Sequence, residues 1–337
     1  MRAGFPILAL GGLALAALGW ILAPGPFFGA WLAAVTWFAA WPLGSVGLLL
    51  VHALAGGRWG VILRPALRQG CRALVLLVPL ALPLALGAGR LYPWVHGAAP
   101  AGKSFYLNGP FFAGRTLAYL VIWCGLGVLT LTADELRLKR LAPSGLILLA
   151  LTVSFAAIDT GMSLDLGFSS SVYGLIALAG AGLLALSIAV LATAIDAPDP
   201  EDWPDLGRLL LGLVVLWAYL DFVQFLIVWE SDLRREVAWY LTRSEGLWGA
   251  VAWALGLGHF LLPFAILLSG RAKRRPAVVI GVAGLLVVLE ILRAWWLILP
   301  SLGRPPGWTD LAAMAGLAGL MGCGVVWRPL SAARVRP

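Results

Sequence analysis

Residues 206–248 read LGRLLLGLVVLWAYLDFVQFLIVWESDLRREVAWYLTRSEGLW, and this stretch decides the fold. Its first part is an apolar run of about 24 residues, which as an α-helix would extend roughly 36 Å and cross a lipid bilayer with some tilt. Tyr219, Asp221 and Gln224 lie inside the run. Because a carboxylate in hydrocarbon is costly, Asp221 should face protein or water, and it is a candidate functional residue.

The whole chain has the composition of a membrane protein. Of its 337 residues, 61% are hydrophobic and 12% are charged, and this charged fraction is about half that of a soluble domain. The formal net charge is +8, but the basic residues lie in short connections between apolar runs, where they signal membrane topology. We therefore expect contact with lipids and no nucleic-acid partner.

Ten apolar runs predict an all-α polytopic membrane protein that forms one integral membrane domain over residues 1–337. The first run is short and follows a basic residue, so a cleaved signal peptide is an alternative; we favour a retained helix because GWILAPGPFF has no clear small-x-small cleavage site. The predicted spans, one to ten, cover residues 5–22, 28–54, 73–86, 114–132, 146–158, 170–194, 206–229, 247–268, 278–299 and 311–327.

An even number of spans puts both termini on one side of the membrane. The positive-inside rule makes that side cytoplasmic, because it holds sixteen of the 24 Lys and Arg residues. The other side holds the connections 87–112 and 230–246. The sixteen basic residues are Arg2, Arg58, Arg64, Arg68, Arg72, Arg137, Lys139, Arg140, Arg208, Arg271, Lys273, Arg274, Arg275, Arg328, Arg334 and Arg336.

Cysteine and histidine usage argues against a metal or haem site. No cysteine belongs to a CxxC or CxxCH motif, and two bis-histidine haems would need more histidines than the chain has. We expect no metal ligation, no covalent cofactor and no catalytic residue in this chain. The residues concerned are Cys71, Cys124, Cys323, His52, His96 and His259.

One face of span seven carries a group of polar and aromatic residues. Trp217, Asp221 and Gln224 are spaced at i, i+4 and i+7, which places them on the same side of a helix. Asp221 is a candidate to relay protons or to bond a quinone head group; the alternative is a buried hydrogen bond between helices. Tyr219 and Gln224 are further candidates for a proton path.

Spans eight and nine carry three more ionisable residues. Glu290 and Arg293 lie at i and i+3 in span nine, and His259 lies near the middle of span eight. Glu290 and Arg293 are either a mutually neutralising pair, which we favour, or part of an ionisable chain with Asp221. A histidine titrates in the range that suits proton transfer, although a single buried histidine is more often a packing residue.

Two acids lie close together in the predicted short loop between spans five and six. Asp159 and Asp165 flank Met162 and Ser163. They are candidates for a proton exit or for contact with a bound head group; equally, they would cap the next helix. Arg115, at the start of span four, is expected to extend its side chain to the membrane surface.

Six segments together resemble one protein family. In this order and spacing they resemble the polysulfide-reductase-type (NrfD-like) membrane subunit of alternative complex III, the ActF-like subunit of a bacterial quinol:cytochrome c oxidoreductase. The resemblance covers most of the chain. The segments are HALAGGRWGVILRPAL (52–67), KSFYLNGPFFAGR (103–115), SFAAIDTGMSLDLGFSSSVYG (154–174), LWAYLDFVQFLIVW (216–229), EVAWYLTRSEGLWG (236–249) and HFLLPF (259–264).

The resemblance implies a fold, a role and a set of partners. The fold has two four-helix bundles, spans 2–5 (residues 28–132 with 146–158) and spans 6–9 (residues 170–299), flanked by spans 1 and 10. The role is that of a scaffold and proton-conducting half-channel in the bacterial inner membrane, with quinone or quinol as a candidate ligand. The implied partners are a homologous quinol-site membrane subunit, an iron–sulfur subunit, a multihaem cytochrome c subunit and small membrane subunits.

The chain departs from the family pattern at two places. The Asp-Trp and Pro-His-Trp expected in the outer acidic loop are here Asp159-Thr160 and the LGF of residues 166–168, and Asp221 stands where a small or apolar residue is expected. A rival hypothesis is a stand-alone secondary transporter that uses Asp221, Glu290 and His259 as its coupling site.

Overall fold

The computed structural model describes residues 4–97, 99, 102–195 and 199–326. Within these ranges the chain forms helices and no β-strand, and ten helices are long and apolar enough to cross a membrane. The predicted fold class, an all-α polytopic membrane protein, is confirmed. Several residues used above for topology or for the end of span ten lie outside the described ranges: Arg2, Trp327, Arg328, Arg334 and Arg336.

The membrane helices are numbered in chain order. They are α1 (Gly4–Leu22), α2 (Pro24–Ala55), α3 (Arg58–Leu91), α4 (Gly109–Thr132), α5 (Glu135–Thr160), α6 (Tyr173–Ala194), α7 (Trp203–Ser231), α8 (Gly246–Leu268), α9 (Pro276–Ile298) and α10 (Trp308–Val326). The predicted outer connection 230–246 contains a further helix, Arg234–Ser244, which is called the cover helix below.

Two helices begin more than ten residues earlier than the sequence predicted. Residues 58–72, predicted as a basic connection, form the first part of α3, which continues through a 3₁₀ turn at Ala73–Leu76. Basic and buried apolar side chains alternate there at helical spacing, so an amphipathic helix extends the apolar span. The DELRLKR segment likewise begins α5, because the Asp134 side chain accepts a hydrogen bond from the Arg137 N–H and caps the helix.

Helices α2 and α6 lie at the centre of the molecule, and most of their residues are buried. They approach each other closely at Gly44, where an added Cβ would lie 1.9 Å from the carbonyl oxygen of Ala181. Small residues permit such contacts between membrane helices, since backbones then pack directly. This contact joins the two halves of the protein.

Each central helix belongs to one bundle of four. Helices α3 and α5 pack against α2, and α4 completes the first bundle by packing against α3 and α5. In the same arrangement α7 and α9 pack against α6, and α8 packs against α7 and α9. Helix α1 packs on α10 through Gly12 and Gly316, and α10 packs on α2. The predicted architecture of two bundles with flanking α1 and α10 is confirmed.

The connections between helices gather at two ends of the molecule. At one, called the loop end, the rings of Phe168 and Trp239 stack with centroids 4.5 Å apart and join the α5–α6 and α7–α8 connections. At the other, called the basic end, Arg58 Nε lies 2.8 Å from Asp202 Oδ1 and joins the start of α3 to the start of α7. Successive helices therefore run in opposite directions, as in a multi-pass membrane protein.

The close contact of α2 and α6 predicts a cost for any side chain at position 44. We expect Gly44→Ala to destabilise the protein by about 1–3 kcal/mol, because its Cβ overlaps backbone atoms of α6. Gly212→Ala on α7 is the matched control, since nothing lies within 4 Å of its added Cβ. Thermal unfolding in detergent, followed by circular dichroism, measures both; equal midpoints for the two variants would contradict this account of the interface.

Candidate functional site

A cavity of about 190 Å³ lies between the two bundles. Its wall is formed by side chains of α2 to α7 and α9, together with Trp239 of the cover helix. Most of the lining is apolar, but several polar and ionisable side chains interrupt it. These are Thr36, Thr116, Tyr119, Asp159, Thr160, Tyr173, Asp221, Gln224, Glu290 and Arg293.

On the second-bundle side, three of the predicted ionisable residues are in contact. Glu290 Oε1 lies 3.1 Å from His259 Nε2, and Glu290 Oε2 accepts a hydrogen bond of 3.2 Å from Arg293 Nη1. All three side chains are buried, and His259 is 0% exposed. The Glu290–Arg293 pair favoured by the sequence is therefore present, and it extends to a histidine on another helix.

Asp221 belongs to the same group. It lines the cavity beside Glu290 and Arg293 and interacts electrostatically with Arg293, His259 and Glu290. It takes part in none of the ion pairs found among the described residues. The structure thus brings Asp221 of α7, His259 of α8 and the Glu290–Arg293 pair of α9 to one place, called the interior cluster below.

The predicted polar face of α7 points inward. Trp217 is buried, and its ring packs against His259 with centroids 4.2 Å apart. Gln224 is buried as well; it accepts a hydrogen bond from Ser170 and donates one to Tyr240. Tyr219 is 62% exposed on the opposite side of the helix and does not join the cluster.

The helix that carries His259 has an unusual local structure. Residues Leu255–Leu261 form a π-helical segment within α8. Pro263 has no N–H to donate to the carbonyl of residue 259, and glycines at 256 and 258 make the backbone permissive, so a regular α-helix is weakened there. Such π-helical turns are frequent at functional sites. His259 Nε2 faces Glu290 Oε1, whereas Nδ1 has no hydrogen-bond partner in the described part of the chain.

The net charge of the interior cluster depends on a single proton. With Asp221 and Glu290 ionised, Arg293 charged and His259 neutral, the cluster carries one net negative charge. A buried net charge in the membrane interior is costly. One additional proton on a carboxylate or on the imidazole makes the cluster neutral, so it is suited to hold one exchangeable proton.

On the first-bundle side, a second ionic group lines the same cavity. Arg115 donates two hydrogen bonds of 2.9 Å to Asp159, and the Tyr119 hydroxyl donates a third of 2.9 Å. The Arg115 guanidinium also lies over the rings of Tyr106 and Phe111, at 3.8 and 4.3 Å from their centroids. This assembly around Asp159 is called the Asp159 group below.

The Asp159 group corrects two expectations. Asp159, predicted in a loop, lies in the last turn of α5 and is buried. Arg115, expected to extend to the membrane surface, turns inward because the buried carboxylate needs a counter-charge. Asp165 has a different role, since its Oδ1 accepts a hydrogen bond from the Gly167 N–H and stabilises the local turn.

Arg243, to which the sequence assigned no role, fixes the cover helix. Its buried guanidinium donates to the carbonyl oxygens of Trp296 and Leu297, near the C-terminus of α9, and to Ser301 Oγ. Burial lowers the pKa of Arg243 to about 10, so it stays charged at neutral pH. The partial negative charge at the C-terminus of α9 stabilises the guanidinium in place of a carboxylate. Trp239, under the guanidinium, is held in the cavity wall.

The site contains no obvious metal centre in the described ranges, where no group of three or more His, Cys, Asp or Glu is placed to hold an ion. A scan against protein-family models finds no match for this chain, and a search of curated proteins finds none either. The family resemblance therefore rests on the six quoted segments and stays a prediction.

The Arg115–Asp159 contact predicts strong energetic coupling. We expect Arg115→Gln to destabilise the protein by about 3–5 kcal/mol, because it leaves a buried carboxylate unpaired. Adding Asp159→Asn should recover part of that loss, since the uncompensated charge disappears. Equilibrium unfolding of both single variants and the double variant in mixed micelles measures the coupling; additive losses would show that the pair is not coupled.

Proposed function

We propose that this protein is an integral membrane subunit of a respiratory complex that oxidises quinol and reduces a cytochrome c or a similar acceptor. In that complex it serves as a scaffold and carries protons through part of the membrane, without a redox cofactor of its own. The observation that carries the proposal is the convergence of Asp221, Glu290 and Arg293 on a cavity between the two bundles, with His259 in contact with Glu290.

The chemistry of the interior cluster supports proton transfer. Two carboxylates share one guanidinium and one imidazole, so a single proton separates the neutral from the charged cluster. Carboxylates and imidazole accept and release protons near neutral pH when their surroundings are arranged for it. Intramembrane ionisable groups of this kind are typical of proton pathways.

The place of the chain in a complex is proposed from the sequence. The six family-like segments support assembly with a homologous quinol-site membrane subunit, an iron–sulfur subunit, a multihaem cytochrome c subunit and small membrane subunits. The distribution of basic residues supports a bacterial inner membrane location with both termini in the cytoplasm. Quinol would then be a ligand of the complex, and this chain would supply the proton route beside its oxidation.

A second candidate function is a stand-alone, proton-coupled secondary transporter. The observation that favours it is the π-helical break in α8, where His259 contacts Glu290 in the wall of a cavity between two similar four-helix halves. Interrupted helices at the interface of structural repeats are typical of substrate sites in secondary transporters. The interior cluster would then couple a solute to a proton.

Isolation of the protein from its native membrane in mild detergent separates the two functions. We expect multihaem cytochrome c and iron–sulfur subunits to copurify with the chain, and mass spectrometry together with haem absorbance measures this. A chain that purifies alone and takes up a solute in liposomes would contradict assignment to a respiratory complex and support the transporter.

The role of the interior cluster is tested by substitution in the isolated complex. We expect Asp221→Asn, Glu290→Gln and His259→Ala each to lower the number of protons moved per electron, because each removes a group that shares the proton. Tyr219→Phe, on the exposed face of α7, is the control and should leave that ratio unchanged. If all three cluster variants retained the wild-type ratio, the proton-carrying role would be wrong.

A further inference from the structure

The cavity between the bundles reaches both ionic groups. Asp221 and Glu290 of the interior cluster line its second-bundle side, and Asp159 and Tyr119 of the Asp159 group line its first-bundle side. The same cavity therefore contacts two sets of ionisable side chains that belong to different halves of the protein.

The cavity is suited to water. A water molecule needs at least about 10–15 Å³ of such space, so 190 Å³ has room for several molecules. Cavities that stay empty have apolar walls, whereas carboxylate, guanidinium and hydroxyl groups interrupt this one. The buried Trp37 Nε1 in the wall also has no hydrogen-bond partner among the described residues, and water in the cavity would satisfy it.

We infer that a chain of water molecules in this cavity joins the interior cluster to the Asp159 group, so that the proton route crosses from the second bundle into the first. The inference rests on the proposed proton-carrying function and assigns a further site to it. Water is the bound molecule, and Asp159 with Tyr119 forms the second proton site.

The transfer is balanced in protons and charge. The proton leaves the interior cluster, which becomes net negative by one unit, and the water chain delivers it to the Asp159 carboxylate. Asp159 becomes a neutral carboxylic acid, and the guanidinium of Arg115 loses its counter-charge. No bond other than O–H or N–H bonds changes, and no oxidant or reductant is needed.

The contacts of Asp159 favour release at the loop end. Protonated Asp159 leaves Arg115 unpaired, which is unfavourable in a low-dielectric site, so the proton does not remain there. Arg115 contacts Asp159 and also the Tyr106 carbonyl oxygen and the ring of Phe111, and its side chain is 11% exposed. Release of the proton at the loop end restores the ion pair.

A route within the second bundle is the competing possibility. From Asp221 it would pass along α7 through Gln224 to Ser170 and Tyr240 at the loop end. The Gln224 amide is a poor relay, because it has no group that readily gains or loses a proton near neutral pH. Along the cavity route, by contrast, the proton passes only between water molecules and a carboxylate.

Hydroxyl-radical labelling tests whether the cavity contains water. Trp37 and Trp41 lie one turn apart on α2 and are 3% and 2% exposed, but only Trp37 belongs to the cavity wall. Radiolysis of the full-length protein generates radicals from bound water, and mass spectrometry locates the oxidised side chains. We expect oxidation of Trp37 at least about tenfold faster than of Trp41; equally slow oxidation of both would overturn the inference.

Proton movement tests the crossing itself, in vesicles of phosphatidylcholine and phosphatidylglycerol that contain the protein with any copurifying subunits. We expect Asp159→Asn to lower the proton flux on the order of a hundredfold, measured with an entrapped pH indicator. Asp165→Asn, the same change at the same end, is the control and should retain the flux. Ala177→Leu narrows the cavity without removing a charge and should also lower the proton flux. If Asp159→Asn does not fold, Ala177→Leu takes its place in the test.

The variant Asp221→Asn distinguishes failure of the crossing from failure of the proton-carrying role. If Asp221→Asn lowers the flux while Asp159→Asn and Ala177→Leu retain it, the crossing is wrong and the proton-carrying role stands. If Asp221→Asn also retains the flux, the proton-carrying role of the interior cluster is wrong.

Discussion

Glu290 lies between a guanidinium and an imidazole in the interior of a membrane protein, and the arrangement of the second bundle depends on that contact. A carboxylate at this depth needs compensation, so Arg293 of its own helix and His259 of α8 must both approach it. Helix α6 makes room for this, because any side chain at Gly180 would place its Cβ 2.4 Å from Arg293 Nη1. The electrostatic requirement thus fixes how α6, α8 and α9 pack.

The two bundles are in close contact at one place, and a cavity lies beside it. Where Gly44 faces Ala181, the backbones of α2 and α6 are in contact; Leu43 and Ala181 also belong to the cavity wall. Ionic groups have collected on both of its walls, the interior cluster in the second bundle and the Asp159 group in the first. A cavity between packed halves, rather than the interior of one bundle, is therefore the place where function is expected.

The sequence predicted what depends on local pattern. Hydropathy located ten spans, and helical spacing placed Trp217, Asp221 and Gln224 on one inward face. It could not show that Arg115 turns inward to Asp159, since a contact between residues 44 positions apart has no local signature. Nor could it show the cover helix held by Arg243, because a buried arginine paired with backbone carbonyls resembles any surface arginine in sequence. The GLGHFLLP segment did contain a signal for the π-helical turn, in its glycines and proline.

The interior cluster is expected to hold one exchangeable proton. Infrared difference spectroscopy in H₂O and D₂O tests it most directly, by comparing the wild-type protein with Asp221→Asn at neutral pH. We expect the wild type to show a deuterium-sensitive band of a protonated carboxyl or imidazolium group, and we expect this band to be lost or shifted in the variant. Identical deuterium-sensitive bands in the two proteins would contradict it.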